Sequence, residues 1–255
     1  MAHWIRFEHN NKKHIGTVNG ENITVFEGDI FNNPQKTDTI INVAETTKLN
    51  PCEPTKIIAL WNNYKTLADE KDLSKPNNPL YLNKAISCIL EPGKNIVRPK
   101  FYNEAIFYEG ELGIVIGKHC KDIEADQADD YIFGYTCIND VTGMDLVKKD
   151  PTFDQWTRSK SFDTFGIFGP GIETDIDPMN LQIVSKLNGN IVQDYNTNDM
   201  FFNVYEIVSY LSKDMSLYPG DIIACGTNAG LGPMNEGDTI QVSVEGIGEL
   251  TNKLV

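Results

Sequence analysis

Two segments rich in Ile, Val, Tyr and Phe, at 108–117 and 131–140, constrain the fold of this chain most strongly, because that composition predicts β-strands. In a strand, residues two positions apart point to the same face. Glu109 and Glu111 have this spacing, with one glycine between them, and an apolar run follows at 112–116. The sequence therefore predicts two carboxylates side by side on a strand that continues into the protein core.

Paired carboxylates repel each other, so in a low-dielectric environment they share a proton, pair with a basic side chain or bind a divalent cation. Asp140 ends the second predicted strand and could supply a third carboxylate. Three hard oxygen ligands without histidine suit Mg²⁺, Mn²⁺ or Ca²⁺ rather than Zn²⁺ or Cu²⁺. The alternative interpretation places Glu109 and Glu111 on the solvent-facing side of an edge strand.

Chain length and charge limit the class of protein. A chain of 255 residues accommodates one large domain, or one domain together with a small one. The net charge of -14 argues against nucleic acid or an anionic membrane as the main partner. The chain has no run of about 18 apolar residues, and its N-terminus lacks the apolar segment of a signal peptide. We therefore expect a cytoplasmic protein that does not contact membranes.

The cysteines agree with that location. There are five, an odd number, and no two of them have Cys-X-X-Cys spacing. This pattern indicates reduced thiols in a cytosolic protein. Cys137 and Cys225 lie in apolar strand-like segments, which favours a role in the core over a role in catalysis.

Turn-rich sequence divides the chain into two predicted domains, a small β-rich domain at 1–49 and a larger one at 50–255. Short strands are predicted in the first domain at Trp4–Phe7, His14–Val18 and Asn22–Phe26. In the second domain, apolar spacing predicts a helix at 203–211, and the glycine-rich segment 162–174 is predicted as a loop. Many strands and few helices indicate a β-dominated α+β fold.

A second glycine-rich loop, 226–232, follows the predicted strand 222–225. Loops of this kind can cradle phosphate groups at a helix N-terminus. This one lacks the Lys-Ser/Thr pair of a P-loop and does not lead into a helix, so we exclude a nucleotide site. Its backbone amides and the Thr227 hydroxyl could instead hold a carboxylate.

Four motifs occur in an order that is typical of one family. They are Tyr-Glu-Gly-Glu-Leu-Gly-Ile-Val-Ile-Gly (108–117), Phe-Gly-Tyr-Thr-Cys-Ile-Asn-Asp-Val-Thr (133–142), Gln-Trp-Thr-Arg-Ser-Lys-Ser-Phe-Asp-Thr (155–164) and Pro-Gly-Asp-Ile-Ile-Ala-Cys-Gly-Thr (219–227). With these motifs, residues 54–255 resemble the fumarylacetoacetate hydrolase family. The resemblance implies a mixed β-roll/β-sandwich catalytic domain, usually a homodimer, behind a small N-terminal domain. It also implies bound Mg²⁺ (Mn²⁺ or Ca²⁺ in some members) and a small oxo-acid or dicarboxylate substrate.

The resemblance further implies roles for individual residues, carried over by position. The metal ligands are expected to be Glu109, Glu111 and Asp140. The candidate catalytic residues are Lys160, near the substrate, and Glu70, on the lid. The candidate substrate-binding residues are Gln155, Thr227 and Tyr64.

Two departures from the family pattern concern catalysis. Hydrolytic members carry an Asn-Tyr-X-X-His-X-X-Glu lid whose His–Glu pair activates water, and here Leu67 stands at the histidine position. The arginine of the Asn-Asp-Val-Ser-Ala-Arg-Asp motif is replaced by Met144. A hydrolase with this sequence would need another base, for which the candidates are Asp69, Glu70 and His119.

Three functions remain open at this point. The first is a divalent-metal-dependent enzyme acting on 2-oxo or 2-hydroxy-dienoic acids through a metal-stabilised enolate, of the 2-hydroxyhepta-2,4-diene-1,7-dioate isomerase or oxo-acid decarboxylase type. The second is a C–C bond hydrolase of the fumarylacetoacetate or acylpyruvate type. The third is a homologue that binds metal or ligand without catalysis. The intact set of carboxylates favours an enzyme.

Overall fold

The computed structural model describes residues 2–255. Within this range the chain forms strands with the following bounds: β1 (His3–His9), β2 (Lys12–Asn19), β3 (Asn22–Glu27), β4 (Gln35–Asn42), β5 (Thr47–Lys48), β6 (Ile57–Trp61), β7 (Leu80–Lys84), β8 (Ile89–Leu90), β9 (Ile106–Tyr108), β10 (Gly110–Ile116), β11 (Ile132–Asp140), β12 (Thr142–Gly143), β13 (Gly166–Glu173), β14 (Gln182–Leu187), β15 (Asn190–Asn196), β16 (Ile222–Ala224), β17 (Gly232–Met234), β18 (Thr239–Val244) and β19 (Gly248–Lys253). The α-helices are α1 (Lys65–Glu70), α2 (Trp156–Lys160) and α3 (Val204–Asp214). The prediction of a β-dominated α+β fold is confirmed.

The largest sheet contains twelve strands in the order β4-β3-β2-β1-β13-β11-β10-β16-β6-β7, with β5 beside β1 and β8 beside β13. The pairs β6–β16 and β8–β13 are parallel, and the other pairs of this sheet are antiparallel. The N-terminal strands belong to this sheet, because β1 pairs with β13 through His3 opposite Glu173 and Trp4 opposite Ile172. The division into domains at 1–49 and 50–255 stays a prediction, and the sheet continues across it.

Two smaller sheets complete the structure, β12-β9-β17 and β15-β14-β18-β19. The four-stranded sheet packs against β10, β11 and β13 of the large sheet. Alternate apolar side chains fill the space between them, as period-two strands require. Helix α3 closes the same core with Ile207, Val208 and Leu211, and Asn203 caps its N-terminus by accepting from two backbone amides. The predicted helix at 203–211 is therefore confirmed.

Strand register places the acidic residues at one end of the large sheet. Gly110 of β10 lies opposite Asn139 of β11, and Asp140 lies opposite Gly166 of β13. The start of β10, the end of β11 and the start of β13 therefore meet at one edge, which brings together side chains that are about 30 residues apart in sequence.

The glycine-rich segment 162–174 is not a loop, and this prediction is wrong. Most of it forms β13, whose eight residues are all buried between β1 and β11. Its glycines are needed for close approach: a Cβ on Gly166 would lie 2.4 Å from Cys88 Sγ, and one on Gly171 would lie 2.7 Å from the carbonyl oxygen of Trp4. Glycine here allows dense packing rather than chain flexibility.

Replacing Gly166 with alanine is expected to lower the free energy of unfolding by about 1–3 kcal/mol, because the new methyl group overpacks a closed site. The nearest obstacle is one atom, Cys88 Sγ, and the next is the Cys88 carbonyl oxygen at 3.4 Å. The double variant Gly166→Ala/Cys88→Ala should therefore lose less stability than the two single variants add up to. Urea unfolding of all four proteins tests this, and strictly additive losses would contradict the packing explanation.

All five cysteines are free thiols, as predicted, and all are buried, which was predicted for Cys137 and Cys225. Burial raises the pKa of Cys52 to about 12 and that of Cys120 to about 11, and it raises the pKa of Cys137 to about 12. These values keep the groups protonated at neutral pH, which does not favour a nucleophilic role. Among residues 2–255, no helix has both the length and the apolar character needed to span a membrane.

Candidate metal centre

Glu109, Glu111 and Asp140 come together at the edge where β10, β11 and β13 meet. A ligand oxygen from each lies within 4.8 Å of the other two. The three residues are 3%, 0% and 1% exposed, which excludes the alternative of a solvent-facing edge strand. Three carboxylates at this depth cannot all keep their charge without compensating groups.

The strand predicted at 108–117 is interrupted at Glu109. Residues before it form β9 in the three-stranded sheet, and residues after it form β10 in the large sheet. At the break, side-chain oxygens accept the hydrogen bonds of the backbone N–H groups. Glu109 N–H donates to Asn139 Oδ1 at 3.1 Å, and Gly110 N–H donates to Gln193 Oε1 at 3.0 Å. Glu109 and Glu111 reach the same cluster although they do not share one regular strand.

Two buried ammonium groups compensate the carboxylates. Lys160, the last residue of α2, donates to Glu109 Oε2 at 2.9 Å and to Asp140 Oδ2. Lys84, the last residue of β7, donates to Asp140 Oδ1 and to the carbonyl oxygen of Phe165, the latter at 3.0 Å. With every group ionised, three negative and two positive charges leave a net charge of -1 (-3 + 2). This arrangement has one negative charge more than its ammonium groups neutralise.

The pKa values show which carboxyl group lacks compensation. Burial, and then repulsion from Asp140, hold the pKa of Glu111 well above its ordinary range. Burial also acts to raise the pKa of Asp140, but the ammonium groups of Lys160 and Lys84 outweigh it and hold that pKa below its usual value. Burial acts to lower the pKa of Lys160, and attraction to Asp140 and Glu109 outweighs it and raises that pKa.

Two further donors contact the cluster. The Thr142 hydroxyl donates to Glu109 Oε1 at 2.7 Å, and the backbone N–H of Gly226 donates to Glu111 Oε2 at 2.8 Å. The other oxygen of Glu111, Oε1, is buried without a hydrogen-bond partner among residues 2–255. The loop at 226–232 therefore does hold a carboxylate, and the carboxylate belongs to the protein itself.

These residues fit a hard divalent cation. The donor set consists only of carboxylate oxygens, which suits Mg²⁺ or Mn²⁺. The unpartnered Glu111 Oε1 is the kind of buried acceptor that a bound cation would satisfy. The Lys160 ammonium already lies between Glu109 and Asp140, where it acts as a cationic stand-in. The predicted three residues are the ones that could hold a metal, and both their role as ligands and the identity of the metal stay predictions.

Two predicted substrate-binding residues lie near the cluster. Thr227 follows Gly226 directly, but its hydroxyl is engaged: it donates to the Gly110 carbonyl at 3.0 Å and accepts from Gln193 Nε2 at 2.8 Å. Tyr64 is fully buried with its ring edge-on to Tyr195, and its hydroxyl has no hydrogen-bond partner in the described part of the chain. Burial, followed by neighbours that include Glu111, holds the pKa of Tyr64 well above its usual value.

Two other predicted residues lie outside the cluster. Gln155 precedes α2, and its amide donates to the Phe153 carbonyl at 3.4 Å. It lines a cavity of about 700 Å³ between β7 and the segment 151–158, and the three carboxylates do not line this cavity. Glu70 is exposed at the end of α1. The roles of Gln155 and Glu70 in substrate binding and catalysis stay predictions.

No imidazole contacts the carboxylates within the described range. Leu67, at the position of the lid histidine, is a buried core residue whose N–H donates to Asn228 Oδ1 at 3.0 Å. His119 packs against Tyr218, with the two rings tilted by 36°, beyond the far end of β10, and about 17 Å of strand separates Glu111 from that end. Of the other histidines, His3 contacts Glu173, His9 contacts Glu45 and His14 contacts Phe7.

Lys84 and Thr142 were not among the predicted site residues. The sequence carries one signal for Lys84: it lies two positions from Leu82, so in a strand the two side chains share a face, which is the buried face of β7. Thr142 follows Asp140 at the same spacing. The two spacings indicate which face each side chain occupies, but they do not show that Lys84 and Thr142 reach the acidic cluster.

Comparison with protein families gives two matches. The model described as fumarylacetoacetate (FAA) hydrolase C-terminal matches residues 56–255, and the one described as Rv2993c-like, N-terminal matches residues 2–49. Among curated relatives, the mitochondrial oxaloacetate tautomerase Fahd2a of Rattus norvegicus is 35% identical over 85% of this chain and 72% of its own length.

Solved structures that share the whole fold include two enzymes. One is a 2-hydroxyhepta-2,4-diene-1,7-dioate isomerase from Mycobacterium marinum, with a TM-score of 0.90 and 35% identity over 100% of this chain and 98% of that one. The other is a maleylpyruvate hydrolase from Sphingobium sp. SYK-6 in complex with manganese(II) and pyruvate. It has a TM-score of 0.81 and 25% identity over 99% of this chain and 98% of that one.

Proposed function

Because this chain belongs to the fumarylacetoacetate hydrolase family, we propose that it is a divalent-metal-dependent enzyme that moves a proton or removes carbon dioxide next to the keto group of a small 2-oxo acid. Isomerisation, tautomerisation and decarboxylation of such acids share one requirement, a stabilised enolate. The observation that carries this proposal is the buried cluster of three carboxylates next to Lys160, which no imidazole of residues 2–255 contacts.

The cluster supports this chemistry through its charges. A bound divalent cation would supply Lewis-acid stabilisation of negative charge developing on the substrate. Glu109, Glu111 and Asp140 would hold it. With the carboxylate charge taken up in this way, the Lys160 ammonium becomes available to pair with the substrate carboxylate or to donate a proton to carbon. None of these steps requires a base that activates water, which agrees with Leu67 at the lid position.

The test follows turnover of oxaloacetate and of 2-hydroxyhepta-2,4-diene-1,7-dioate by protein stripped with chelator, before and after Mg²⁺ or Mn²⁺ is added back. We expect turnover to disappear on stripping and to return with metal, since the enolate would lose its main charge stabilisation, worth about two to three orders of magnitude. Blanks with the same metal and no protein correct for solution catalysis. Coupled detection of pyruvate separates decarboxylation from tautomerisation. Turnover that is insensitive to chelation would contradict the proposal.

A second candidate is C–C bond hydrolysis. It is favoured by the likeness to a fumarylacetoacetate hydrolase from Exiguobacterium antarcticum, which is 31% identical over the whole chain. Glu70, exposed at the end of α1, would then have to serve as the base on a segment that closes over the cluster. Cleavage of an acylpyruvate or of fumarylacetoacetate in the same assay, lost in Glu70→Gln, would establish this candidate in place of the first.

A further inference from the structure

The three carboxylates of the cluster share a pattern. In each, a protein group outside the cluster donates a hydrogen bond to one oxygen, and the other oxygen remains available to the cluster. Thr142 holds Glu109 Oε1, the Gly226 backbone amide holds Glu111 Oε2, and Lys84 holds Asp140 Oδ1. The donors are of three different chemical types and come from three different parts of the chain.

The remaining oxygens are the ones available to a cation. Glu109 Oε2 and Asp140 Oδ2 both accept from the Lys160 ammonium. Glu111 Oε1 has no partner among residues 2–255. Each carboxylate thus offers one oxygen, and Lys160 is the only group among these residues that contacts two of the three offered oxygens.

The three donors are fixed in place. Thr142 is fully buried, and its hydroxyl also lies 3.0 Å from the Asp140 carbonyl. The Gly226 amide belongs to the backbone. Lys84 is 4% exposed, and its ammonium is also anchored by the Phe165 carbonyl, so it differs from Lys160, whose donor contacts are to the cluster carboxylates. A cation could displace Lys160 without disturbing any of these three donors.

We propose that Thr142, the Gly226 amide and Lys84 restrict each carboxylate to a single metal-ligating oxygen, and that this makes the site discriminate against Ca²⁺ in favour of Mg²⁺ and Mn²⁺. The inference rests on the proposed function, in that it takes the cluster to be the metal site. It adds a specificity role for side chains that do not themselves ligate the metal.

The physical reason lies in the coordination each ion prefers. Ca²⁺ takes six to eight oxygens and commonly uses carboxylates with both oxygens, whereas Mg²⁺ takes six at octahedral positions and keeps several waters. Three carboxylates that each offer one oxygen would supply three ligands to Mg²⁺, and waters would supply the others that it prefers. The three carboxylates leave Ca²⁺ short of protein ligands. Residues that orient a ligand from behind commonly change metal affinity by about 10–100-fold when they are replaced.

The test compares dissociation constants for Mg²⁺ and Ca²⁺, measured by calorimetry on the full chain, for wild type, Thr142→Val and Thr142→Ser. Valine keeps the shape and removes the donor, which frees Glu109 to ligate through both oxygens, while serine keeps the hydroxyl. We expect Thr142→Val to raise the affinity for Ca²⁺ relative to Mg²⁺ by about tenfold and Thr142→Ser to leave that ratio within about twofold. Equal shifts for both ions in Thr142→Val would overturn the inference.

A second measurement uses wild type alone and does not depend on how the variants fold. The number of waters on bound Mn²⁺, obtained from proton relaxation or from EPR broadening in ¹⁷O-water, is expected to be about three. A count near one would show carboxylates binding through both oxygens and would overturn the inference while leaving the proposed function intact. If wild type binds none of the three ions, the proposed function falls together with the inference.

Discussion

Glu111→Gln is expected to abolish metal-dependent turnover and to weaken Mg²⁺ binding by at least about 100-fold. Glu111 offers the one cluster oxygen that no protein group contacts within the described range. In the variant the amide oxygen can still accept from Gly226 N–H, which directs the NH₂ group toward the cluster. A ligand is then replaced by a donor at the position where the cation needs negative charge.

The same substitution should not destabilise the metal-free protein. The pKa of Glu111 is raised because burial and Asp140 both disfavour its charge, so a neutral amide of the same shape removes an unfavourable interaction. Calorimetric titration with Mg²⁺, steady-state turnover and thermal unfolding of the stripped protein together test this prediction. Glu236→Gln, at an exposed position, controls for the loss of one negative charge from the chain. Retained turnover, or a large drop in melting temperature without metal, would contradict this role for Glu111.

Lys160→Met should change three properties in different directions. Turnover should fall by about two to three orders of magnitude, because the ammonium that would serve the substrate is gone. The metal-free protein should lose about 3–5 kcal/mol of stability, because Glu109 and Asp140 lose a buried partner. Mg²⁺ binding should become tighter, because the cation no longer competes with the ammonium for Glu109 Oε2 and Asp140 Oδ2.

The melting temperature of Lys160→Met should therefore rise more steeply with added Mg²⁺ than that of wild type, since a ligand that binds only the folded state stabilises it according to its affinity. Lys213→Met is the matched control, because its ion pair with Glu124 is exposed and contributes little. If Lys160→Met bound Mg²⁺ more weakly than wild type, the ammonium would be supporting the metal site rather than occupying it.

The acidic residues of the site could be found from sequence because their signal is local. The Glu-X-Glu spacing before an apolar run and the Asp at the end of the next strand both follow from the two-residue period of a strand. The structure brings the three together because β10 and β11 are antiparallel neighbours, so the start of one lies at the end of the other. The break at Glu109 was not predictable, since it depends on acceptors from Asn139 and Gln193.

The lysines and hydroxyl groups of the site are harder to find from the sequence than its carboxylates. Lys160 lies in one of the family motifs, whereas for Lys84 the sequence offers only its two-residue spacing from Leu82, which indicates burial and not contact with Asp140. For Thr227 the sequence indicates the position near the site but not the hydrogen bonds. Its hydroxyl is already bonded to the Gly110 carbonyl and to Gln193 Nε2. The sequence around a residue indicates where the residue lies, but not which groups form hydrogen bonds with its polar atoms.

The sequence by itself determined the β-dominated fold, helix α3, the free thiols and the three acidic residues, because each follows from residue type and spacing within about ten positions. Tertiary structure alone decided that the glycines of β13 serve dense packing, that Lys84 reaches Asp140, and that each carboxylate keeps one oxygen for the cluster. Those features depend on contacts between segments far apart in the chain. Charge balance and close packing in a buried site are set by all the groups that surround it, and a linear pattern does not contain that information.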